Sequence, residues 1–312
     1  MSALISGSIA YDNIMVFPGR FQEQILPDQI HILNVSFLVP EMRREFGGCA
    51  GNVVYNLGLL GAEGYAMSTV GDDFTPYENW LTEQKINTHF INRVAATLTA
   101  QAYITTDLDD NQITAFHPGA MDHAHTLEVP TDAGIKIGMV SPNGREGMIQ
   151  HARQFAAAGI PFIFDPGQGL PMFDGDDLKA FIEQASWVAV NDYEGQMLCE
   201  RTGWSEAEIG ERVQALIVTR GAKGSSIYVA GKELTIPTAT PADVRDPTGC
   251  GDAYRAGLIY GLLNQMNWED TGRLASLLGA IKIASLGTQN HYFTPQTLDD
   301  EFEKNFNYRL GL

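Results

Sequence analysis

The chain has 312 residues, 44% of them hydrophobic, with 20 basic against 38 acidic side chains for a net charge of −18. Such a field repels nucleic acid and anionic membranes, so function classes built on either are excluded, and an anionic substrate needs a metal or a local positive pocket. Three cysteines without a CxxC pair fit a reducing cytoplasm and exclude a structural zinc cluster; no basic N-terminal leader or long apolar span is seen, so a cytoplasmic enzyme is expected.

In chain order, Ala3–Ile9 reads as a buried strand with Ser8–Asp12 as its exit, and residues 13–45 turn to short period-two stretches such as Ile30–Val35. A glycine turn runs into a helix over Gly47–Gly61, followed by a strand at Tyr65–Val70 and a helix over Thr75–Lys85. Thr99–Thr106 and Gln112–Phe116 form a hairpin around Asp109-Asp110-Asn111. Paired with the strands of 13–45, this hairpin makes a small β lid. Beyond residue 130 strands at Ile135–Val140, Pro161–Phe164, Trp187–Val190 and Leu216–Thr219 alternate with helices at Arg145–Ala158, Asp177–Gln184, Tyr193–Arg201 and Ala253–Asn264. Alternation at this spacing predicts a mainly parallel sheet in a three-layer α/β/α sandwich. The expectation is one domain over residues 1–312, with a lid from about 13–45 and 98–118. Ligands bind at the carboxyl ends of such strands, where Asp12, Asp165, Asn191 and Thr219 fall.

Four segments there carry chemistry. Asp246-Pro247-Thr248-Gly249-Cys250-Gly251-Asp252 is a two-glycine turn opening a helix. Amides at a helix start hold an anion, and a carboxylate beside that anion has no role in binding it. Asp252 is therefore read as a base for a hydroxyl, and the amides of Gly249, Cys250 and Gly251 as the holders of a transferring phosphoryl group. A plain capped helix is the competing reading. Phe46-Gly47-Gly48-Cys49-Ala50-Gly51-Asn52 lets a ligand lie against backbone, with Asn52 offering a donor and an acceptor to vicinal hydroxyls; tight helix packing explains the same glycines. In Asn191-Asp192-Tyr193-Glu194, Glu194 can hold hydrated Mg²⁺ through water or merely cap a helix. Thr219-Arg220-Gly221-Ala222-Lys223-Gly224 suits a nucleotide's phosphates and ribose or makes a simple hairpin; it lacks Walker A spacing.

Taken together these four ordered motifs resemble the ribokinase-like (PfkB) family of sugar and nucleoside kinases over nearly the whole length. The glycine turn with Gly61 and Gly71 is similar to the family's N-terminal signature, and Asp246–Asp252 with Ala256-Gly257 to its C-terminal one. Val54 and Cys250 depart from the small residues usual at their positions. The resemblance implies an ATP-dependent phosphotransferase using Mg²⁺, with a monovalent cation such as K⁺ left open. Asp252 would be the base. Asp12, with Asn13, Gly47, Gly48 and Asn52, would hold substrate hydroxyls. Asn191, Thr219, Arg220, Gly221, Gly224 and Thr248 would serve the nucleotide, and Glu194 the metal.

Few cations flank the acceptor side, which favours an uncharged acceptor. The lid is aromatic (Met15, Phe17, Phe37, Phe116) with Gln101 and Gln112, and its pattern looks similar to that of prokaryotic adenosine-type nucleoside kinases. A ribonucleoside phosphorylated at its 5′-hydroxyl is therefore expected. Ribokinase or fructokinase activity and a non-catalytic nucleoside sensor are the alternatives. A Cys250 nucleophile is disfavoured for want of an evident histidine partner. A homodimer through a lid strand is left open.

Overall fold

The computed structural model describes residues 2–24, 35–109 and 111–311. A nine-stranded sheet is built from β1 (Ser2–Ser6), β4 (Glu63–Val70), β5 (Ile91–Arg93), β8 (Ile135–Val140), β9 (Phe162–Phe164), β10 (Trp187–Asn191), β11 (Ala215–Thr219), β12 (Ser225–Val229) and β13 (Lys232–Ile236). Its order is β13-β12-β11-β10-β9-β8-β1-β4-β5, parallel except for the β11–β12–β13 meander. The central strands are mostly apolar and buried because both faces are covered.

One face carries α2 (Cys49–Leu59), α8 (Cys250–Leu263) and α9 (Trp268–Ile283), and the other α4 (Arg145–Ala157), α5 (Gly175–Gln184), α6 (Asp192–Thr202) and α7 (Glu206–Arg212). The short α1 (Phe21–Gln24), α3 (Thr75–Glu83) and α10 (Pro295–Phe306) complete the set. This is the expected α/β/α sandwich. No helix among the described residues is long and apolar enough to cross a membrane.

A separate four-stranded sheet has the order β3 (Glu41–Gly47), β2 (Ala10–Val16), β6 (Ala100–Thr106), β7 (Gln112–His117). Its hairpin is tied by Asp107, whose carboxylate accepts from the Asp109 and Asn111 amides at 3.0 and 2.9 Å. The alternating stretch at 30–34 lies outside the described residues.

Two expectations need correction. The first strand ends at Ser6 rather than Ile9, and Ala10–Asp12 opens the second sheet instead of leaving the first. Gly7 makes that break possible: a Cβ there would lie 2.0 Å from Ser141 Oγ and 3.2 Å from the Ala50 Cβ. The short α7 and the longer α9 and α10 were not anticipated. α9 is buried around much of its circumference, including Gly272, Leu274, Ala275, Leu277, Leu278 and Lys282, so no single apolar stripe announces it.

Candidate active site

A cleft of about 780 Å³ lies between the carboxyl edge of the large sheet and the inner face of the small one. The large sheet contributes Ser8 after β1, Asp165 after β9, Asn191 at the end of β10 and Thr219 at the end of β11. Two helix starts close the floor, Gly48–Asn52 of α2 and Thr248–Asp252 of α8; Asp12, Ala102, Thr114 and Phe116 of the small sheet form the roof.

Glycine makes the α2 corner buildable. Gly48 sits at φ 87°, and a Cβ there would lie 2.6 Å from both the Ser8 carbonyl oxygen and the Ala10 amide nitrogen. At Gly47 a Cβ would fall 2.4 Å from Asp12 Oδ2, so the missing side chain is what admits the aspartate to the cleft. Ser8 caps the helix: its Oγ accepts from the Cys49 amide at 3.1 Å and its carbonyl from the Ala50 amide at 3.0 Å.

Gly249 adopts φ 80° as N-cap of α8. The Cys250 amide donates to the Pro247 carbonyl at 3.2 Å, whereas the Gly249, Gly251 and Asp252 amides have no partner among the described residues. Of the three amides expected to face an anion, that of Cys250 is engaged, and the free ones among the described residues are those of Gly249, Gly251 and Asp252. The Cys250 thiol, pushed up to about 11 by burial, points to the Asp246 carbonyl at 3.9 Å, which disfavours the thiolate a nucleophile needs.

Asp252 accepts from Asn52 Nδ2 at 2.8 Å. The amide of Asn52 is itself fixed, because Gln289 Nε2 donates to its Oδ1 at 3.0 Å while Gln289 Oε1 accepts from Trp80 Nε1 at 3.0 Å. Burial raises Asp252 to about 7, with Asp165 pushing the same way and the Asn52 hydrogen bond and Arg255 opposing. A carboxylate poised there suits proton abstraction near neutral pH. Asp12 is raised to about 6, by burial and then by Asp246 and Glu45.

Sequence reasoning passed over Arg255 and left Asp165 without a partner. Arg255 follows Asp252 by one helical turn and is 4% exposed. Its Nε and Nη2 meet the two oxygens of Asp165, 5% exposed, at 3.2 and 3.1 Å. It is the one cation lining the cleft among the described residues, against Asp12, Asp165, Asp192, Glu194 and Asp252. An arginine between the small residues Ala253, Ala256 and Gly257 was the available signal.

Several expected residues stand elsewhere. Asn13 and Gln101 face away from the cleft: Asn13 Nδ2 donates to Gln101 Oε1 and the Ala102 carbonyl, and Gln101 Nε2 to Asp73 at 3.1 Å. Strand alternation explains this, since Asp12 and Ala102 occupy the inner face of the paired strands and their neighbours the outer. Phe17 and Phe37 pack with Phe21 rather than into the cleft, leaving Phe116, 49% exposed, as the aromatic of the roof. Arg220 is tied to Glu206 at 2.8 Å and Ser226 at 3.3 Å and does not line the cleft. Gly224 serves the hairpin at φ 85°, where a Cβ would meet the Ile236 carbonyl at 2.1 Å. Thr219, Gly221 and Thr248 do line the cleft.

Glu194 is both cap and cleft residue. Its Oε2 accepts from the Asn191 amide at 2.8 Å, and its own amide donates to Asn191 Oδ1 at 2.7 Å, a reciprocal capping box. Burial, then Asp165, raises its pKa, so a cation brought beside it would be welcome. No group of three or more metal-binding side chains exists among the described residues. The carboxylate of Glu194 and the amide oxygen of Asn191 are donors that fit a hydrated Mg²⁺.

A buried carboxylate beside unpaired helix-start amides, in a cleft of this size, is an arrangement that suits phosphoryl transfer. The chain belongs to the pfkB family of carbohydrate kinases, whose pattern matches residues 8–295. It is 52% identical to the nucleoside kinase of Burkholderia thailandensis, solved in complex with inosine, with 98% of this chain and 99% of that one covered and a TM-score of 0.91. A second structure of that enzyme, with ADP-inosine, gives 53% identity over 98% of this chain and 97% of that one, at a TM-score of 0.88. The nucleoside kinase of Methanocaldococcus jannaschii is 32% identical over 274 residues, 87% of this chain and 90% of that protein.

Proposed function

We propose that this chain is an ATP-dependent nucleoside kinase that phosphorylates the 5′-hydroxyl of an inosine- or adenosine-like ribonucleoside. The observation that carries the reading is Asp252, held by Asn52 at 2.8 Å beside the unpaired amides of the α8 turn. The likeness to an enzyme solved with inosine supports the choice of acceptor.

In this reading Asp12 and the α2 corner hold the ribose, and Asp252 takes the 5′-hydroxyl proton as the hydroxyl oxygen bonds to the γ-phosphorus of ATP and ADP leaves with the bridging oxygen. The Gly249, Gly251 and Asp252 amides stabilise the charge of the transferring group, which needs little beyond positioning and electrostatics. Thr219, Gly221 and Thr248 line the nucleotide side. Mg²⁺, when bound with the nucleotide, would neutralise phosphate charge, with Glu194 and Asn191 as the holders on this wall. That neutralisation is needed here, because the cleft itself is acidic. The small sheet acts as a lid. Its outer face exposes Met42, Tyr103 and Ile113, an apolar surface suited to a second copy of the chain.

The roof supplies a direct test of nucleobase recognition. Phe116→Ala is expected to raise KM for inosine roughly 3- to 10-fold, the worth of one aromatic stack, with KM for ATP nearly unchanged. An unaltered inosine KM would move the acceptor towards a free sugar, the ribokinase or fructokinase alternative.

A further inference from the structure

One charged group plays no part in this chemistry yet lies against it. Lys282, near the end of α9, is 0% exposed. Its Nζ donates to the Asp246 carbonyl at 2.7 Å and to the Ser285 carbonyl at 3.2 Å. Neither partner is a carboxylate, and no carboxylate lies within 4.0 Å of Nζ among the described residues. Burial pulls the Lys282 pKa down, while Asp246, Cys250 and Asp252 pull it up.

The Asp246 carbonyl belongs to the first residue of the turn that opens α8. The rest of that turn is pinned to the same corner. Asp246 Oδ1 accepts from the Thr248 amide at 2.9 Å and Oδ2 from the Gly287 amide at 2.9 Å. The Arg245 and Asp246 amides both donate to the Ile283 carbonyl, at 2.9 and 3.1 Å. Thr288 Cγ2 stands 3.1 Å from where a Gly249 Cβ would be. The two carbonyl oxygens that Nζ meets are hard neutral donors, the ligand type that also holds a bare metal cation. Here a lysine ammonium takes that cation's place.

We infer that Lys282 is a built-in cation that positions the Asp246–Asp252 turn and makes an added monovalent ion unnecessary for catalysis. The inference rests on the reading of that turn as the phosphoryl-holding site. Lys282 touches no substrate and is a positioning residue. The same oxygens would suit K⁺, and the side chain excludes it. Removing the side chain at the β-carbon should leave a cation-sized space lined by oxygens, which a small cation can refill.

The test measures inosine-dependent ADP formation with K⁺, NH₄⁺ or N-methylglucamine as the sole monovalent cation, for wild type, Lys282→Ala and Lys282→Met. Wild type should be indifferent to the cation. Lys282→Ala should lose about 10- to 100-fold in kcat, below the loss of a direct oxyanion donor, with most of it restored by K⁺ or NH₄⁺. Lys282→Met, which fills the space without charge, should lose as much and not be restored. Inosine affinity, measured by calorimetry, should be retained in both. A wild-type requirement for K⁺ overturns the inference, and that measurement stands even where neither variant folds. Undiminished activity in Lys282→Ala, or a loss that no cation relieves, overturns it as well. Failure of the phosphoryl-holding reading is seen separately, as wild-type turnover that survives loss of Asp252.

Discussion

Asp252→Asn should lower kcat by about 10²- to 10⁴-fold, the usual contribution of a positioned base, while inosine still binds. The amide keeps the shape and can still accept from Asn52 Nδ2, so the loss reads the proton-accepting role and not the geometry. Because Asp252 has a pKa of about 7, wild-type kcat/KM should fall with falling pH through that value. The residual activity of the variant should lose that limb of the profile. Stability moves the opposite way. An aspartate whose folded pKa is raised from 3.8 to about 7 binds more protons folded than unfolded between those values. Wild type therefore loses stability as pH rises through that window and carries the whole cost above it. The asparagine carries none. Its Tm should exceed that of wild type at about pH 8 and the gain should vanish near pH 4. A pH-independent Tm difference would mean that the carboxyl is not held in a desolvating site.

The second large effect concerns the pair that was hidden in the sequence. Arg255→Ala leaves Asp165 buried without its two-pronged partner, a change expected to cost about 3–5 kcal/mol in urea unfolding. Activity should fall too, since Arg255 is the cleft's cation and opposes the rise in the Asp252 pKa. The double variant Asp165→Leu/Arg255→Met removes both charges and should regain most of the stability without regaining the activity. Equal destabilisation in the single and double variants would show that the arginine acts through packing alone.

What the sequence disclosed divides along local lines. The turn at Asp246–Asp252 and the glycines at Gly47 and Gly48 are legible because backbone conformation and helix starts are local properties. The α/β alternation is legible for the same reason. Arg255 and Asp165 are 90 residues apart, and Asn52 and Gln289 are 237 apart. Which side chains meet there depends on where β9 ends relative to α8 and on how the segment after α9 returns to α2. Arg220 shows the reverse error: a cation beside a glycine suggests phosphate until Glu206, 14 residues earlier, is found holding it. Asn13 was a different matter. It follows Asp12 in one strand, so period-two alternation already forbade both from facing the cleft. Gln101 needed the β2–β6 register as well, which no local pattern supplies. Lys282 was out of reach, because the helix that carries it had not been read.

The central claim is tested most directly by identifying the product. Protein, ATP, Mg²⁺ and inosine should yield ADP and inosine 5′-monophosphate in equal amounts, the phosphorus located by its coupling to the two 5′ protons in ³¹P NMR. Phosphorylation of free ribose or fructose under the same conditions, with inosine left untouched, would contradict the account.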